Sequence, residues 1–370
     1  MINSFSRIPV SISALIRLAL FALLIYWIQP APDLVILGEP QTVVSEYPKL
    51  SVHTRLADEV EEWKIKRSLE MVREMGATSI VEFFPWAYYH SSNGEIAWSH
   101  PDKIIDHAHQ QGLQVIARLG FTPDWARPED TPLNYLDEEG FIHFADFAAR
   151  FAERYAGKVT HIIVWNEPNL AFEWGFQEAS PETYVALMAE TYRAVKAVNP
   201  DVIILGGALA PTLEPKGSPN GLNDLIFLEE MYQAGAANYM DGLAVHTYGF
   251  KFPPDFEPAP DVLNFRRLEL LREIMVNYGD ETSKIYITEM GWNDHPRWTR
   301  AVRPGQRITY TTDAIRYLHG LDYVETAAIW MFRTPAPIKS YMDYFTLVTP
   351  EFIEKPIYQA LQEMTGNAEQ

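Results

Sequence analysis

From residue 47 onward the chain alternates short apolar runs with amphipathic helical segments, and few folds can absorb that pattern. Leu50-Ser51-Val52-His53-Thr54 reads as a strand. Ile65, Leu69, Val72 and Met75 then fall on one helical face, stopped by Gly76. The same pair recurs, with strands expected near residues 79–84, 113–119, 161–167, 202–207, 242–248, 284–289 and 326–332. Helices fill the gaps between them. One opens with Ser180 as N-cap and Pro181 at its first position, and a last one is expected near residues 356–364. Eight such units predict an α/β chain folded as a single (β/α)8 barrel over residues 47–370. A doubly wound open sheet is the alternative. It would want a glycine-rich turn after its first strand, and none follows His53.

Two of the strands end in a way that points to chemistry. His161-Ile162-Ile163-Val164-Trp165 stops at Asn166-Glu167-Pro168, and proline cannot continue a central ladder. Lys284-Ile285-Tyr286-Ile287-Thr288 likewise stops at Glu289-Met290-Gly291-Trp292. In a barrel the C-terminal strand ends converge on one face. The residues expected there are His53, Trp86, Arg118, Asn166, Glu167, His246, Tyr248, Glu289, Trp292 and Trp330. Two carboxylates flanking a glycosidic bond serve as general acid and nucleophile. The acid must hold a proton near neutral pH, while the nucleophile must stay ionised, which a donor such as Tyr248 would assist. Trp125, Trp174 and Trp298 fall in expected loops and are candidate sugar platforms.

These residues also carry a family resemblance. Trp165-Asn166-Glu167-Pro168 and Thr288-Glu289-Met290-Gly291-Trp292 resemble the acid/base and nucleophile strands of retaining glycoside hydrolases of clan A. The pattern is most similar to the family of β-xylosidases and α-iduronidases, with cellulase-like families next. Trp86, Trp98, the stretch from Gly112 to Leu119, Pro123-Asp124-Trp125, His246-x-Tyr248 and Trp330 agree with it. The resemblance spans roughly residues 50–335. It implies that Glu167 is the acid/base and Glu289 the nucleophile of a glycosidase cleaving a β-linked polysaccharide or oligosaccharide. It also implies that Asn166 holds the sugar 2-hydroxyl, Tyr248 positions Glu289, His246 orders the site and Trp330 floors the subsite. One departure stands out. Many clan members carry an arginine on strand two near the nucleophile, where this chain has Val81-Glu82-Phe83-Phe84. Arg55 or Arg118 substitutes, or the donor is missing.

Composition narrows the partners. A formal net charge of −19 argues against nucleic acid or an anionic membrane surface. The absence of cysteine excludes disulfides, thiolate metal sites and cysteine nucleophiles. A metal-dependent barrel hydrolase would want His-x-His on its first strand, and His53-Thr54-Arg55 does not supply it. His107 and His109 are expected on a solvated helix face, so no metal or other cofactor is expected. A carbohydrate-binding barrel without activity is the remaining alternative, and it would be expected to have lost one of the two glutamates. The N-terminus reads separately. Arg7 and Arg17 precede an unbroken apolar run over residues 18–28, as in a signal peptide or membrane anchor over residues 1–32. Residues 33–46 read as a linker. The expectation is an exported protein, secreted or anchored to the outer face of the cytoplasmic membrane, touching the membrane only through that segment.

Overall fold

The computed structural model describes residue 17 and residues 39–336 and 340–367. The signal or anchor expected over residues 1–32 lies outside the described residues, Arg17 apart. Among the described residues no helix is long and apolar enough to cross a membrane.

Eight parallel strands close into a barrel in chain order. They are β1 (Leu50–His53), β2 (Ser79–Pro85), β3 (Gln114–Gly120), β4 (Val159–Val164), β5 (Ile203–Leu209), β6 (Gly242–Tyr248), β7 (Lys284–Gly291) and β8 (Val324–Ile329). Leu50 of β1 pairs with Ala327 of β8, which closes the ring. Between consecutive strands run the helices Glu62–Glu74, Ser99–Gln110, Glu138–Arg154, Pro181–Val198, Asp224–Gln233, Arg267–Asn277 and Pro304–His319, and Pro356–Met364 follows β8. Ser180 caps its helix as the sequence suggests, its hydroxyl accepting from Thr183 N–H at 3.2 Å. Gly76 stops the first helix in the left-handed region, at φ 82°. A Cβ there would lie 2.4 Å from the Thr365 hydroxyl, so no other residue fits.

Successive strand residues point to opposite faces, and this sorts the core into two. Val81, Ile116, Ile163, Leu205, Ala244, Tyr286 and Ala328 fill the barrel interior. Ile80, Val115, Ile162, Leu243 and Ile285, one residue earlier on their strands, face the helices. Two residues further along β3 and β6 the inward positions become Arg118 and His246, and Tyr248 follows two residues after that. The polar groups therefore sit as a layer on top of an apolar plug.

Two strand ends differ from the expected pattern. β4 ends at Val164, because Trp165 and Glu167 take positive φ angles of 72° and 44° that no strand accommodates. The turn keeps its ties to both neighbours: Trp165 N–H donates to Leu119 C=O and Glu167 N–H to Ala208 C=O, both at 3.0 Å. β8 ends at Ile329, leaving Trp330 just beyond it. Residues 41–46, the distal part of the expected linker, are pinned to the barrel. Gln41 N–H donates to Gln110 C=O at 2.8 Å, and Asn367 Nδ2 to Val44 C=O at 2.9 Å.

Trp86, expected among the site residues, belongs instead to the layer between barrel and helices. Pro85 ends β2 and a single helical turn, Trp86–Tyr89, swings the indole outward. There it stacks on Phe147 and donates to His90 Nδ1 at 3.0 Å, fully buried. Replacing it with alanine is expected to cost about 3–5 kcal/mol of stability by urea unfolding. A loss under about 1 kcal/mol would show that the ring packs elsewhere.

Candidate active site

Residue spacing alone would not aim Glu289 into the barrel. Tyr286 of β7 points inward, so strict alternation would send Thr288 and Met290 inward and Glu289 out. The register corrects this. Val245 pairs with Ile287 but His246 pairs with Glu289, so Thr288 is an extra residue against β6. That bulge turns Glu289 inward and leaves Met290 facing the helices. Glu167 reaches the same space from the opposite side, on the strained turn after β4.

The two carboxylates meet across His246. His246 Nδ1 is 2.7 Å from Glu167 Oε1 and 3.7 Å from Glu289 Oε2. An oxygen of each glutamate and a nitrogen of His246 all lie within 4.8 Å of one another. Glu289 is held on both oxygens. Arg118 Nη1 donates to Oε1 at 2.8 Å, and the Tyr248 hydroxyl donates to Oε2 at 2.6 Å. Arg118 thus stands where the absent strand-two arginine was expected to act. Arg55 is spent on Asp58, which it reaches through Nε at 2.9 Å. In register with Arg118 on β2 is Phe83, whose ring centroid lies 4.7 Å from the guanidinium carbon.

These contacts set the charges. Burial pushes the Glu289 carboxyl up, but His246 and Arg118 outweigh it and hold the group below the usual carboxylate range. Burial lowers His246, yet the charges of Glu289 and Glu167 reverse this and raise it. His53 is pushed down to about 3 by burial and by Arg118, so it stays neutral. It lies 3.8 Å from Glu289 Oε1, and both of its ring nitrogens lack a protein partner.

Above this layer opens a cavity of about 520 Å³. Of the residues expected at the site, His53, Arg118, Asn166, Glu167, Tyr248, Glu289 and Trp330 line it, with His246 buried beneath. The structure does not bring Trp292 there. Its indole donates to Phe252 C=O at 2.7 Å and packs on Phe265, and a Cβ at Gly249 would lie 1.9 Å from the ring. The chain leaving β6 therefore runs directly against it. Of the loop tryptophans, Trp298 lines the cavity. Trp125 instead donates to His90 C=O at 2.9 Å, and Trp174 is buried against Trp165. His107 is not solvated either: it is buried, 2.9 Å from Glu62 Oε1.

Sequence reasoning missed other lining residues. Phe172, Phe250, Tyr341 and Phe345 come from loops whose path no periodicity encodes. Two further carboxylates were also missed. Glu82 is buried but accepts from Leu56 N–H, Ala57 N–H and the Thr54 hydroxyl, so it clamps the loop after β1 to β2. Burial pushes its carboxyl up to about 7. Glu173 follows Glu167 by one loop turn, and its only sequence signal is a charge inside Leu170-Ala171-Phe172-Glu173-Trp174. Glu167, His246 and Glu289 are near enough to share a metal ion, and Glu289 is also paired with Arg118 through its other oxygen.

Residues 138–346 match the family model for the glycosyl hydrolase catalytic core. The chain belongs to that family. This glycosyl hydrolase core is 23% identical over 289 residues to a β-xylosidase of Geobacillus stearothermophilus, covering 70% of this chain and 54% of that one. It thus spans about half the length of that relative. A family 39 glycoside hydrolase from Bacteroides cellulosilyticus WH2 superposes with a TM-score of 0.69 at 21% identity, over 88% of this chain and 65% of that one. A monomeric β-xylosidase from Caulobacter crescentus CB15 gives a TM-score of 0.62 at 20% identity, over 88% and 69% of the two chains. At these identities the likeness is one of fold.

The Arg118 contact yields a direct test. Removing its positive charge in Arg118→Gln should raise the Glu289 titration by about 1–3 units, followed by carbon-13 NMR of glutamate-labelled protein. An unmoved titration would mean that Arg118 does not set the ionisation of Glu289.

Proposed function

We propose that this protein is a retaining glycoside hydrolase of clan A, cleaving a β-linked oligosaccharide or polysaccharide by double displacement. The observation that carries this reading is the asymmetry of a close carboxylate pair. One oxygen of each lies within 4.8 Å of the other, a spacing that favours the close pair of a retaining enzyme over the wider pair of an inverting one. Only one of the pair, Glu289, is clamped on both oxygens by Arg118 and Tyr248.

In this scheme Glu289, kept ionised, attacks the anomeric carbon and displaces the leaving oxygen. Glu167 gives that oxygen its proton as the bond breaks. The glycosyl–Glu289 ester is then opened by water, whose proton Glu167 takes. His246, against Glu167 at 2.7 Å, fixes the rotamer of that carboxylate. Asn166 hydrogen-bonds the sugar 2-hydroxyl, His53 offers an unpartnered ring nitrogen to another hydroxyl, and Trp330 forms the floor. The exposed Phe172 and Tyr341 offer apolar faces to the leaving-group side. Xylo-configured substrates come first for testing, since the β-xylosidases are relatives in sequence and in fold. Export is part of the same proposal, supported by Arg7, Arg17 and the apolar run over residues 18–28, and it places the enzyme where polysaccharide is met.

The test uses aryl β-glycosides with the wild type, Glu289→Ala and Glu167→Ala. Glu289→Ala should be inactive alone and regain turnover with azide, giving the α-glycosyl azide. Glu167→Ala should lose about 10²–10⁴-fold on poor leaving groups and yield the β-azide. Wild-type rates in either variant would overturn the assignment of that glutamate.

A further inference from the structure

Three arginines with no part in that scheme gather beside the cavity. Between β7 and the helix Pro304–His319 the chain carries Arg297, Arg300 and Arg303, all exposed, against a single acid, Asp294. None of the three meets a carboxylate among the described residues. Every other arginine from residue 39 to 367 does, except Arg272, which donates to two backbone carbonyls. In a chain with 49 acidic and 30 basic residues, such unpaired guanidiniums stand out.

The loop that holds them is fixed. Val302 N–H donates to Asn293 C=O at 2.9 Å, and the Asn293 amide donates to Tyr341 C=O at 2.7 Å. Trp298, in the middle of the loop, lines the catalytic cavity and also a second cavity of about 630 Å³, so the two adjoin at its indole. Arg303, His295 and Tyr344 line the second one. Arg297 N–H donates to His295 Nδ1 at 3.0 Å, which leaves Nε2 as the nitrogen that carries hydrogen, a further donor. Asp294, the acid in this wall, is already answered by Arg307 Nη1 at 3.7 Å. Arg300 lies where the two spaces meet, its guanidinium carbon 5.2 Å from the ring centroid of the cavity-lining Phe250.

The two spaces differ in charge. Asp58, Glu167, Glu173 and Glu289 line the catalytic cavity, with Arg55 and Arg118 as its cations. An anionic sugar is disfavoured there and favoured beyond Trp298, where positive charge is unpaired. A guanidinium suits that task, since its fork of N–H groups matches a carboxylate or sulfate and it stays charged at any working pH. We propose that the cavity beyond Trp298 holds an acidic sugar, carboxylated or sulfated, of the same glycan whose bond is cut at the glutamates. Arg300 and Arg303 thereby select acidic over neutral glycans. This rests on the glycosidase reading above and narrows its substrate class.

The experiment compares kcat/KM on a β-linked oligosaccharide, xylo-configured first, with the same oligosaccharide carrying a uronic acid or a sulfate ester. The wild type should prefer an acidic member by about 10-fold, mostly through KM. That preference should fall below about threefold in 0.5 M salt. Whichever of the two acidic members gains more identifies the anion. Arg300→Gln with Arg303→Gln should bring the ratio of acidic to neutral near one, and Arg300→Glu with Arg303→Glu should push it below one. Arg303→Lys, which keeps the charge, should retain part of the preference. A wild-type ratio of one for both acids, or a ratio that charge reversal leaves unmoved, would overturn the proposal. Wild-type silence on these and on aryl β-glycosides would sink the glycosidase reading instead. The groove is then judged by titration calorimetry with the same oligosaccharides: tighter binding of an acidic member, lost on charge reversal, supports it, and equal or no binding overturns it.

Discussion

The ion pair between Arg118 and Glu289 is the interaction on which the catalytic end of the barrel depends. A carboxylate taken this far from water would sooner keep its proton, and a lone guanidinium would be as costly to bury. Each makes the other tolerable, and Tyr248 and Asn166 take up remaining hydrogen-bonding capacity. The apolar layer beneath, from Val81 round to Ala328, excludes water from below. Charges in such a place interact more strongly than at a surface, which is why His246 and Glu289 depart so clearly from their ordinary titration.

Backbone irregularities put these groups where they are. The bulge at Thr288 rotates Glu289 onto the inner face, and the left-handed residues Trp165 and Glu167 fold the end of β4 over the rim. A second register shift, between Gly207 and Leu209 of β5, sets the carbonyl of Ala208 where Glu167 N–H can bond it. A perfectly regular barrel built from the same residues would send Glu289 into the helical layer. Strained backbone gathers at the two glutamates because regular strands cannot deliver both.

How much of this the sequence discloses depends on which rule governs each residue. Inward and outward alternation is local and periodic, so the strands, the helices and the polar positions of β3 and β6 were legible. The abrupt ends at Asn166-Glu167-Pro168 and Thr288-Glu289 announced the pair. Trp86 and Trp292 misled, because one helical turn or one glycine contact decides which side of the wall an indole occupies, and neither has a period. Glu173 and the loop aromatics were invisible for a similar reason: their positions follow from loop paths set by contacts distant in sequence. Whether Arg55 or Arg118 serves Glu289 was a question of strand register, which pairing resolves and composition does not.

The pairing of Phe83 with Arg118 bears on how such a site changes over time. The guanidinium sits on β3 with an aromatic ring beside it on β2, whereas the resemblance places the cation on β2. Exchanging the two arrangements takes two substitutions in side-by-side strands. An ancestor that first lost its cation would leave a carboxylate stranded in the wall, and one that first gained the second would crowd two guanidiniums into space for one. A comparison that reads alignment columns one at a time would score the arginine as missing, although the same carboxylate is paired from the neighbouring strand.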